Sequence, residues 1–98
     1  MQLSGKQRRF LRALGHHLKP ALMIGKQGVT PDLIRQLEHC LLAHELVKVR
    51  LLGTSPIGRD DAGRELAEVS GSGLAQTLGR TLLLYRPHPE EPKIALPA

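Results

Sequence analysis

The 98 residues predict an α/β protein, a two-layer sandwich of helices on a four-stranded mixed sheet in the order αβαβαββ. Three observations carry that expectation. Residues 46–52 alternate, with Leu46, Lys48, Arg50 and Leu52 opposing Val47, Val49 and Leu51, which is the period of a strand in a sheet with one covered face. Two stretches with apolar residues at helical spacing open on start signals, Ser4 and the run Thr30-Pro31-Asp32. Two short apolar runs near the end are separated by Gly79-Arg80, with glycine first as a type II′ hairpin demands.

In order, Ser4 caps a first helix that ends at Gly15. Its wheel places Leu3, Phe10, Leu11 and Leu14 on the core side and Arg8, Arg9 and Arg12 opposite. Residues 21–24 read as a short buried strand. Helix two spans 31–43, with Leu33, Ile34, Leu37, Cys40 and Leu41 on one face, so that Cys40 is a small buried hydrophobe. After strand two, residues 53–58 form a turn with Ser55-Pro56 as a candidate cap. A third helix runs to Ser70 on a thin stripe of Ala62, Leu66 and Val69, and Gly71-Ser72-Gly73 stops it. Residues 74–78 and 81–86 form the hairpin. The proline-rich tail, 87–98, is expected to be extended and free to move, and the whole chain forms one domain.

Between strand one and helix two lies Gly25-Lys26-Gln27-Gly28. Two glycines three apart allow a tight turn and leave its N–H groups unshielded. The following helix start adds unpaired N–H groups and partial positive charge, and Lys26 adds a full charge. Lys19 and Thr30 flank the turn. A strand-to-helix turn often needs glycine merely to change direction, so GxxG alone is unspecific. Neither the GxxxxGK[ST] spacing nor a third glycine of the dinucleotide fingerprint is present. What remains is the use found in RNA-binding modules, where such a turn clamps the backbone of a single strand.

Charge points the same way. The net charge is +5 and the pI about 10.0. Residues 1–58 carry +6 while 59–98 carry −1, so the basic half is the half with the glycine turn. A polyanionic partner explains that asymmetry, and an acidic protein partner satisfies the same charge argument. No apolar run approaches the roughly 20 residues of a membrane span. The first residues lack a signal-peptide core and the single cysteine cannot form an internal disulfide; the cytoplasm is the expected compartment.

A basic helix before LKPALMIGKQGVT, then HELVKVR, then Leu78-Gly79-Arg80-Thr81-Leu82-Leu83-Leu84-Tyr85-Arg86-Pro87, together resemble the CRM domain family, specifically its stand-alone bacterial YhbY-type members. The resemblance covers about Leu3 to Leu96. It implies a fold similar to the C-terminal domain of a bacterial translation initiation factor. It also implies RNA binding, with precursors of the large ribosomal subunit as target and Gly25, Lys26, Gln27 and Gly28 as the family's GxxG.

Other readings are weaker. A KH domain places GxxG between two helices, not after a strand. An RRM stacks bases on sheet aromatics, whereas Phe10 and Tyr85 are the only aromatics and both are assigned to packing. No catalytic constellation is present, and Cys40 and His44 bring at most two metal ligands together. A non-catalytic monomer without cofactor or metal is therefore expected, binding RNA through the turn with Lys19 and Thr30 beside it and through Arg8, Arg9 and Arg12.

Overall fold

The computed structural model describes residues 1–98. Helix α1 (Gly5–Gly15) is followed by strand β1 (Leu22–Ile24), helix α2 (Pro31–His44) and strand β2 (Leu46–Leu51). Helix α3 (Arg59–Ser70) and the hairpin of β3 (Gly73–Leu78) and β4 (Thr81–Tyr85) complete the order. The sheet order is β1-β2-β4-β3, with β1 parallel to β2 and the other pairs antiparallel. Fold class, element order and mixed sheet agree with the sequence.

Local chemistry explains the starts and stops. Ser4 and Gln7 form a reciprocal capping box at α1, Ser4 Oγ accepting from the Gln7 N–H at 3.1 Å and Gln7 Oε1 from the Ser4 N–H at 3.0 Å. Thr30 Oγ1 caps α2 by accepting from the Leu33 N–H at 3.1 Å. In the hairpin turn Gly79 alone has positive φ, at 58°. Helix α3 departs from expectation. It starts at Arg59 behind Gly58 with no side-chain cap, while the Ser55 hydroxyl is occupied with Ile57. Asp60 and Asp61 in its first turn offset the missing cap through the helix dipole.

The layering is richer than two layers. Val47, Val49 and Leu51 of β2 pack with Leu82 and Leu84 of β4 under α2 and α3. Leu46, Ala75, Leu83 and Tyr85 point the other way and pack under Leu3 and Leu11, so α1 covers the opposite face. Strands β2 and β4 carry leucines on both faces, and burying each such leucine is worth about 1.5–3 kcal/mol. Both faces therefore need cover. Phe10 and Leu14, expected in the core, are 37% and 46% exposed. The inward stripe is Leu3, Leu11 and Gly15, because α1 comes so close at Gly15 that a Cβ there would lie 2.8 Å from Leu83.

The tail is extended, as expected, but it is tied down. Glu45, the C-cap of α2, is buried and has φ of 65°, a conformation costing about 1–3 kcal/mol for a residue with a side chain. Its carboxylate accepts from the backbone N–H groups of His88 at 2.7 Å, Lys93 at 2.9 Å and Ile94 at 2.9 Å. Ile94 and Leu96 then pack on the α1-side core, and Gln7 Nε2 donates to the Pro97 carbonyl at 2.9 Å. The tail is thus a strap across α1. Tyr85 is buried beside it; burial, and secondly the Glu45 charge, raise its hydroxyl pKa.

Burial acts to raise the Glu45 pKa, but the three N–H bonds and the His88 charge outweigh it and leave it lowered. A lowered carboxylate contributes stability that is full above its unfolded value of 4.5 and is lost as pH falls through the folded value. Glu45→Gln should therefore cost about 1–3 kcal/mol at pH 7 and flatten the acid limb of the stability curve. Urea melts of both proteins between pH 3 and pH 7 check this; parallel acid limbs would remove Glu45 from that role.

Candidate nucleic-acid interface

Residues 25–28 form a closed turn, with the Gly28 N–H donating to the Gly25 carbonyl at 3.0 Å. Gly28 has φ of 68°, which favours glycine. The N–H groups of Lys26, Gln27 and Val29 find no acceptor within the protein, and Lys26 and Gln27 are exposed. The turn therefore presents free N–H donors beside a lysine at the start of α2, the chemistry that holds a phosphate. Thr30 serves as the cap and orients that helix start.

The loop after β2 stands beside the turn, and the β3–β4 turn stands beside that loop. A Cβ on Gly28 would meet Pro56 at 3.4 Å, and one on Gly53 would meet the Arg80 guanidinium at 3.0 Å. The Leu51 N–H donates to the Arg80 carbonyl at 2.7 Å. The glycine turn, the loop after β2 and the β3–β4 turn thus share one end of the sheet, with Lys26 and Arg80 at their tips.

Charge is divided across the sheet. The first acidic residue of the chain is Asp32, so α1 and β1 are wholly free of acid. The four ion pairs use Arg35, Arg59, Arg64 and Arg86, with acids of α2 and α3. No Lys or Arg from Lys6 to Lys26 has an ion-pair partner, nor has Lys48, Arg50 or Arg80. The cations of α1 and β2 are thus unpaired, whereas the arginines of α2 and α3 are matched internally.

The candidate residues are not all together. Gly25, Lys26, Gln27 and Gly28 gather at the sheet end. Arg9 and Arg12 lie exposed on α1. Lys19 shares a groove with Leu14, Leu18 and Lys48. Arg8 leaves the group, lining a hollow toward α3 with Arg64 and Glu68. Sequence reasoning missed Lys48, Arg50 and Arg80 as site residues, although the β2 alternation already put the first two opposite the valines. It also put Phe10 inside. Cys40 packs half-buried against the main core.

Fold and site define a small α/β domain with a glycine turn of free N–H donors at one end of its sheet and unpaired cations on α1 and β2. The chain belongs to the CRS1 / YhbY (CRM) domain family, whose pattern matches residues 3–86. It is 42% identical over 95 residues to the "Probable RNA-binding protein YqeI" of Bacillus subtilis, covering 97% of this chain and 99% of that one. It is 39% identical, also over 95 residues, to an "RNA-binding protein" of Haemophilus influenzae, covering 97% and 95%. The solution structure of the hypothetical protein SAV1595 from Staphylococcus aureus superposes with TM-score 0.82 at 36% identity, covering 97% of this chain and 99% of that one.

Asp32 is the one acid at the turn. Bonds from Gln36, then Arg35, lower its pKa, so it is ionised at neutral pH and opposes a bound phosphate. Two substitutions should therefore move RNA affinity in opposite directions. Gly28→Asp adds a charge and a Cβ at positive φ, and should weaken binding at least ten-fold for about 1–2 kcal/mol of lost stability. Asp32→Asn should strengthen binding. Filter-binding assays on folded variants check both; undiminished affinity in Gly28→Asp would remove the turn from the interface.

Proposed function

We propose that this protein binds RNA backbone through the Gly25–Gly28 turn and the cationic α1 side, and acts without catalysis as an assembly factor for the large ribosomal subunit. The carrying observation is the unpaired cations on one side of the sheet, against complete internal pairing of the arginines on α2 and α3. Unmatched cations on α1, β2 and the loop end, with no acid on α1 or β1, suit a polyanion whose phosphates supply the counter-charge. The names of the relatives support RNA as that polyanion. The ribosomal target rests on family resemblance.

On this reading the protein works as a monomer in the cytoplasm, with ribosomal RNA of precursor large subunits as partner and no cofactor. Binding alone suffices: the protein holds or shields one RNA conformation until later assembly steps bury the site. Release then requires no nucleotide hydrolysis. Arg9, Arg12, Lys26 and Arg80 contact phosphates, with Arg8 at the margin.

In sucrose gradients of cell extract the protein should sediment with immature large subunits, be depleted from mature ribosomes and polysomes, and leave those fractions on nuclease treatment. Sedimentation with small subunits would refute the ribosomal assignment. Nuclease-resistant association with other proteins would favour an acidic protein partner instead.

A further inference from the structure

Helix α1 leaves part of its side of the sheet bare. Its core contacts reach Leu46 of β2, Ala75 of β3 and Leu83 and Tyr85 of β4, and no residue of β1 belongs to that cluster. Beyond this cover, the same face continues with Lys48 and Arg50 of β2 and Met23 of β1. Met23 and Arg50 are directly paired in the parallel register. Met23 is 55% exposed, and Arg50 is also exposed. At the rim, Leu14 and Leu18 meet Lys48 in a groove of about 440 Å³. Phe10, one helical turn before Leu14, lies on the same flank of α1.

An exposed face on which Met23, Phe10 and Leu14 stand among cations marks a contact surface. Its cations and the lack of any acid on α1 or β1 argue for a polyanion with apolar parts. Single-stranded RNA is such a molecule, because its unstacked bases offer flat apolar faces between phosphates. Met23 stands two strand residues before Gly25, about 7 Å along β1. A strand whose backbone is held at the turn therefore has bases within reach of Met23. Arg50 supplies a planar guanidinium on which a base can stack.

We propose that the bare strip of Met23, Lys48 and Arg50, rimmed by Phe10 and Leu14, is a base-contacting platform for single-stranded RNA. It rests on the RNA-binding reading above and adds base contacts to backbone contacts. The glycine turn and α1 then position phosphates, and the strip receives bases.

The test compares a twelve-nucleotide single-stranded RNA with an abasic strand of equal length and charge, by fluorescence anisotropy. Wild-type protein should prefer the strand with bases by about ten-fold. The double variant Met23→Ala/Arg50→Lys keeps every charge and changes only exposed side chains. In it the preference should fall close to one, while affinity for the abasic strand and its salt slope stay as in wild type. A variant that keeps the full preference would overturn the platform and leave backbone binding intact. Wild-type protein with no affinity for either strand would overturn the RNA reading itself. Unchanged thermal melting of the variant secures the comparison, and wild-type preference for the base-bearing strand is read without any variant.

Discussion

The period of two along β2 is the constraint on which the remaining structure depends. Val47, Val49 and Leu51 face α2 and α3, and that choice forces Leu46, Lys48 and Arg50 to the other side. A slip of one residue would bury two cations under α2 and α3, at a cost of several kcal/mol each without partners. Register is thereby fixed, and so is the side on which β2 is basic. Leu46 at the start of the strand needs cover, which α1 provides; Lys48 and Arg50 further along are left uncovered. One strand thus both anchors α1 and limits how far it reaches.

The C-terminal strap acts on the same boundary. Glu45 ends α2, turns the chain into β2 and binds three N–H groups of the tail. Its positive φ is strained, and the strain persists because the buried carboxylate has every bond it requires. Ile94 and Leu96 close the lower edge of the α1 core, while the opposite end of the sheet keeps its three loops open. Stability elements and exposed cations are therefore segregated, so substitutions at Lys26, Arg50 or Arg80 leave the core untouched.

Much of this was legible locally. Ser4 and Thr30-Pro31 marked helix starts because caps act within one turn. Gly79 marked the hairpin because positive φ is a property of one residue. The glycine turn was legible because strand, turn and helix start adjoin in sequence. Which face of the sheet α1 covers was not legible, since periodicity reports a helix's apolar side and not its destination. The burial of Leu11 over Phe10 depends on close approach at Gly15, which reads in sequence only as a stop. The strap joins residues 43 to 49 positions apart, and nothing local to Glu45 announces it. Arg80 reaches the loop after β2 only through the folding of the hairpin.

The central claim is that RNA meets the α1 side and the loop end, while the α2–α3 side faces away. Amide chemical-shift mapping during titration with a short single-stranded RNA tests it most directly. Perturbations should concentrate in residues 9–28, 48–50 and 79–80, and the exposed residues of α3 should remain still. Shifts centred on α3 and the outer face of α2, with the glycine turn silent, would contradict it.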